Sequence, residues 1–105
     1  MTDLEYIVNN LSDEDILCSI SEESAELAKA ALKLRRALTK TDPTPVTVDE
    51  AKANLFEEYS DVLGSFWVYT VKHNCKDDVD AVVIDNINDK VSRRAQRIKE
   101  CKKHD

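Results

Sequence analysis

Apolar residues recur at three- and four-residue intervals along most of the chain, the period of helices buried on one side. Ile16, Leu17, Ile20, Ser24, Leu27, Ala31, Leu34 and Leu38 trace one stripe and predict a helix running to about Thr39. Ser12-Asp13-Glu14-Asp15 opens it, with a capping hydroxyl and acids where the helix dipole favours them. Ahead of it, residues 2–10 read as a short helix, with Thr2 as N-cap and Leu4, Ile7 and Val8 apolar. Thr41-Asp42-Pro43-Thr44-Pro45 stops the long helix, because proline lacks the N–H donor and biases the residue before it toward extended geometry. Thr47 with Glu50 forms a capping box for a second long helix, whose core stripe is Leu55, Tyr59, Val62, Leu63, Phe66 and Tyr69. His73-Asn74-Cys75-Lys76 is the next break and Asp77 a cap. A last helix then covers about 78–100 with Val79, Val82, Val83, Ile87, Val91 and Ile98.

Phe66 to Val71 has strand propensity, but one strand would have no partner and the helical pattern runs into it unbroken. From Gly64 to Val71 this helix is apolar almost all round, more than so short a chain covers by itself, which points to an oligomer interface. Gly64 has two readings: room for a ligand, or close helix packing, the more usual reason for such a glycine.

Composition narrows the picture. With 105 residues, one glycine and two prolines, the chain suits one all-α domain over 1–105 and not a turn-rich β fold. The expected architecture is three long helices plus the short first one, completed by oligomerisation. A net charge of −6 argues against nucleic acid as the main partner. Cys18, Cys75 and Cys101, odd in number and widely spaced, fit a reduced cytoplasmic chain. No long apolar run suggests a membrane span.

The candidate chemistry lies in two acidic motifs, Glu22-Glu23-Ser24-Ala25-Glu26 and Glu57-Glu58-Tyr59-Ser60-Asp61. Acids three residues apart share one side of a helix. With the two helices side by side, Glu23, Glu26, Glu58 and Asp61 can face one another, and four converging carboxylates repel unless a cation joins them. Hard oxygen donors suit Mg²⁺ or Mn²⁺, ions that commonly handle phosphates. The alternative is a solvated acidic face. Against it, these acids flank the apolar stripes, and Glu23 and Glu26 have Leu27 and Ala30, not a basic residue, at i+4. Trp67 and Tyr69 are suited to stacking on a base, though aromatics at helical spacing more often belong to the core. His73 and His104, at a helix end and the chain end, do not look catalytic.

The motifs Glu22-Glu23-Ser24-Ala25-Glu26 and Glu58-Tyr59-Ser60-Asp61-Val62-Leu63, followed by Asn88-Asp89-Lys90-Val91-Ser92-Arg93-Arg94, resemble in type and order those of the MazG-like all-α nucleoside triphosphate pyrophosphohydrolases. The resemblance covers roughly residues 12–100. It implies Glu23, Glu26, Glu58 and Asp61 as Mg²⁺ ligands, Glu22 behind them or as the base for water, and Lys90, Arg93 and Arg94 on the triphosphate. It also implies cleavage of a (d)NTP between the α- and β-phosphates, and a homodimer or homotetramer. Two rivals remain: a phosphoribosyl-ATP pyrophosphohydrolase with the same metal site, and a helical interaction module without catalysis.

Overall fold

The computed structural model describes residues 1–40 and 45–103, so most of the proline-containing break and His104 lie outside the described residues. Four helices account for nearly all of the remainder: α1 (Asp3–Asn10), α2 (Asp13–Thr39), α3 (Val48–Lys72) and α4 (Lys76–Lys103). The all-α expectation holds, with three long helices and a short first one.

Each of the first three helices starts where its capping residue lies. Thr2 and Glu5 form a reciprocal capping box, Ser12 Oγ accepts from Asp15 N at 3.1 Å, and Thr47 Oγ1 accepts from Glu50 N at 3.1 Å. Lys40 ends α2 in the left-handed region at φ 55°, and Asn74 turns the chain after α3 at φ 51°. The stretch from Phe66 to Val71 is helical. Asp77 does not cap α4. That helix begins at Lys76, two residues earlier than expected, with Val79 N donating to Cys75 O at 2.9 Å, and Asp77 is an acid of its first turn.

The helices form two compact units divided between His73 and Asn74. In the first, α2 and α3 pack along their length and α1 lies against α3. The inward positions of α2 are Ile16, Ile20, Glu23, Leu27, Ala30, Leu34 and Ala37, at alternating intervals of four and three residues. Those of α3 are Val48, Ala51, Leu55, Glu58, Val62, Ser65, Tyr69 and Lys72, at intervals of three and four. That is the heptad spacing of a left-handed helix pair.

This seam differs from the expected stripes. Leu17, Ala31, Leu38, Tyr59, Leu63 and Phe66 are exposed, while Ala30 and Ala51 are 2% and 1% exposed. Small residues at the inward positions let the helices approach closely, and the bulkier neighbours are left on the flanks. Glu23 and Glu58 lie in the seam itself, not beside it.

The far end of the hairpin is tied by charge. Asp13 Oδ1 stands 3.1 Å from Lys72 Nζ and 2.9 Å from His73 Nε2, and Lys72 Nζ donates to Leu11 O at 2.6 Å. The start of α2 therefore meets the end of α3, so the two run antiparallel. His73, whose ring centroid is 4.6 Å from that of Tyr69, has a structural post here. The Lys72 hydrogen bond, and after it the His73 one, hold the Asp13 carboxyl below its usual 3.8. A carboxylate held low in the folded state stabilises above its unfolded pKa and loses that contribution as pH falls through the lowered value. Asp13→Asn should therefore flatten the decline of melting temperature below about pH 3.8. An unchanged acid limb in a calorimetric pH series would contradict that role.

The second unit is α4. Lys76 Nζ pairs with Asp80 Oδ2 at 2.6 Å, and Gln96 Nε2 donates to Glu100 Oε1 at 2.8 Å. From Asp80 onward every described residue is exposed, Ile84, Ile87, Val91 and Ile98 included. Among the described residues no helix is long and apolar enough to cross a membrane.

Candidate functional site

The inward placement of Glu23 on α2 and Glu58 on α3 follows from the heptad spacing. Asp61, one turn beyond Glu58 on α3, completes the set from the exposed side. Carboxylate oxygens of Glu23, Glu58 and Asp61 all lie within 4.8 Å of one another. The three come from segments 35 residues apart in the chain, so the hairpin and not local sequence assembles them.

Glu58 carries the electrostatic cost. Its carboxyl is pushed above the usual 4.5, first by partial burial, then by the charges of Asp61, Glu23, Glu26 and Glu57 in that order. A proton or a cation both relieve this crowding. No thiol or imidazole belongs to the cluster, and three carboxylates from two helices form a hard-oxygen group that could hold a metal ion.

Glu26 stands apart from the expected foursome. It is close enough to act on Glu58, but its Oε1 pairs with Lys29 Nζ at 3.3 Å and it is exposed. The sequence reading considered only i+4, whereas the base that Glu26 finds is at i+3. Glu22 is exposed on α2.

Lys90, Arg93 and Arg94 belong to the second unit. With Gln96 and Arg97 they line a shallow hollow of about 670 Å³ on the surface of α4. The spacing Lys90, Arg94, Arg97 puts three cations along one side of that helix.

The groove beside the carboxylates was not foreseen. It measures about 480 Å³ and is lined by Glu23 and Asp61, by Ile7 and Leu11 with α1 behind them, and by Gly64 and Trp67. Ser19, Ser60 and Ser65 also line it. Two of their hydroxyls already donate to backbone, Ser60 Oγ to Phe56 O at 2.8 Å and Ser65 Oγ to Asp61 O at 3.1 Å, and retain lone pairs to accept with. Trp67, read above as more often core than ligand-facing, is 48% exposed and forms part of this wall. Tyr69 instead packs at the hairpin end against His73.

No family model, curated protein or solved structure matches the chain. The resemblance to the MazG-like superfamily therefore rests on the three motifs.

Proposed function

We propose that this protein is a Mg²⁺- or Mn²⁺-dependent nucleotide pyrophosphohydrolase that cleaves a (d)NTP between its α- and β-phosphates. The observation carrying this reading is the convergence of Glu23, Glu58 and Asp61 within 4.8 Å in a half-buried seam, without a base among the three. Carboxylates crowded in this way cost stability unless a cation or proton is shared between them. The motif resemblance extends the reading from metal to triphosphate.

In this scheme Glu23, Glu58 and Asp61 hold the ion, with Glu26 adjoining. The ion, when bound, polarises the phosphoryl group and offsets charge on the leaving pyrophosphate. Glu22 would stand behind the ligands or accept a proton from the attacking water. The water oxygen bonds to the α-phosphorus, the bridging bond to the β-phosphate breaks, and monophosphate and pyrophosphate leave. By the motif resemblance alone, Lys90, Arg93 and Arg94 are the residues that would balance phosphate charge.

The exposed flank of α3, with Phe56, Tyr59, Leu63 and Phe66 at helical spacing, supports a homodimer or homotetramer, which sedimentation would read directly. The cysteine usage supports a cytoplasmic setting.

The deciding experiment is a nucleotide panel with Mg²⁺ or Mn²⁺, phosphoribosyl-ATP included, with products separated by chromatography. Monophosphate plus pyrophosphate is the expected result, and the panel ranks substrates at once. Diphosphate plus phosphate would move the cleaved bond. No product, together with no rise in melting temperature on adding metal, would leave the helical interaction module.

A further inference from the structure

Within the hairpin, Gly64 does not serve close packing against another helix of the chain. A methyl group at its Cα would meet no atom within 4 Å, so the position opens onto free space. That space is the groove beside the carboxylates. A glycine inside a helix is unfavourable for backbone entropy, and this one returns nothing in packing.

Asp61, Gly64 and Val68 follow one another along one face of α3, at a rise of roughly 4.5 Å and then 6 Å. Moving away from the carboxylates, the surface thus passes from charge to bare backbone and then to the wall containing Trp67. About 480 Å³ falls within the size of small-molecule sites. The lining is mixed in a particular way. Ile7, Leu11 and the Trp67 indole offer apolar surface for a flat ring, and Ser19, Ser60 and Ser65 offer hydroxyls for polar atoms at its edge. An acyl chain would offer no donor to the lone pairs that Ser60 and Ser65 retain. An apolar peptide would have no reason to lie beside three carboxylates.

We propose that this groove seats the heteroaromatic base of the nucleotide whose phosphates meet Glu23, Glu58 and Asp61, and that Gly64 is the residue that keeps it open. The inference rests on the metal-dependent reading above and adds the base site to it. Trp67 stacks on or against the ring, and α1 supplies the opposing apolar wall. Discrimination among bases falls to the serine hydroxyls.

Trp67 is the only tryptophan of the chain, so its emission reports on the groove without labelling. The experiment titrates the intact protein, in Mg²⁺, with non-cleavable α,β-imido nucleoside triphosphates and separately with inorganic tripolyphosphate, following Trp67 fluorescence and heat of binding. The nucleotides should quench Trp67 and bind about tenfold tighter than tripolyphosphate, the scale of one base–aromatic stack. Gly64→Leu, a good helix former that projects into the groove, should lose the quenching and the tenfold while keeping the tripolyphosphate affinity. Gly64→Ala, which meets no neighbour, provides a folded variant with the groove little changed. Quenching and nucleotide preference that persist in Gly64→Leu overturn the base site and leave the metal reading standing. Absence of binding by both nucleotide and tripolyphosphate in Mg²⁺ overturns the metal reading, and the base site with it.

Discussion

Glu58→Gln should raise the melting temperature of the metal-free protein and, in the same molecule, abolish its magnesium-dependent turnover. The two effects have one cause. In the native state the Glu58 carboxyl sits above 4.5, because partial burial and then Asp61, Glu23, Glu26 and Glu57 disfavour its charge. Between 4.5 and the raised value the folded chain holds more of this proton than the unfolded chain does, so stability falls as pH rises through that window. At neutral pH the ionised group is a net cost. A glutamine of the same shape removes it. Metal-free wild type should accordingly gain melting temperature as pH is lowered from 7 toward 4.5, and the variant should lack that gain. This is the opposite sign from Asp13, whose contribution is lost only below about 3.8, so the two carboxyls separate in one pH series.

Adding Mg²⁺ reverses the ranking. On the metal-dependent reading, wild type should be stabilised by mass action, whereas the variant lacks one of the proposed ligands and should gain less. Turnover should fall by about a hundredfold or more, since removing even the partners of metal ligands costs ten- to hundredfold. Asp61→Asn should behave alike in turnover. Glu26→Gln should cost less, because Lys29 already engages that carboxylate. Equal activity of Glu58→Gln and wild type would remove the cluster from the chemistry.

Ile16→Ala should be the most damaging truncation on the hairpin. Ile16 is 2% exposed, and among the described residues the other buried apolar ones are alanines: Ala30, Ala37 and Ala51. Removing such a side chain costs about 2–5 kcal/mol, a large share of a typical total of about 5–15 kcal/mol. The void can open toward the adjoining groove, which Ile16 also lines, and so the lower part of that range applies. Even there, the melting temperature should drop by roughly ten degrees. Leu38→Ala is the matched control: Leu38 lies on the stripe read from sequence but is 57% exposed, and its truncation should stay within about 0.5 kcal/mol. Comparable losses at the two positions in calorimetry would reject the observed seam.

That contrast marks where the sequence was legible. The start of each of the first three helices was written in a hydroxyl followed by an acid, and those signals are local, so reading along the chain found them. Helix faces are set by the neighbour. Hydropathy points the bulkiest apolar residues inward and places Glu23 and Glu58 beside the stripe, whereas packing puts both in the seam. Two alanines at closest approach carry little hydropathic signal, yet they set which side faces in. Of the acidic site, three of four expected ligands converge. Glu26 lies outside the group of three and pairs with Lys29 at i+3, while its charge still acts on Glu58. The groove escaped notice because α1, distant in sequence from α3, supplies one of its walls, and a glycine gives no hint of which space it leaves free.

A heptad seam has a weakness that the buried glutamates offset. Its aliphatic positions repeat every seven residues, so sliding α3 along α2 by one repeat leaves the apolar match nearly intact. In the native alignment Glu23 and Glu58 are level, which places Ala30 level with Ala51, one repeat away along each antiparallel helix. A slip in one direction would set Glu23 against Ser65 and Glu58 against Ala30. The opposite slip would set them against Ala51 and Ile16. Either way, each carboxylate would be desolvated separately, with no cation shared between them. The acids that burden the hairpin thus act as an index mark, and an ion shared between them, as proposed above, would select a single register of the two helices.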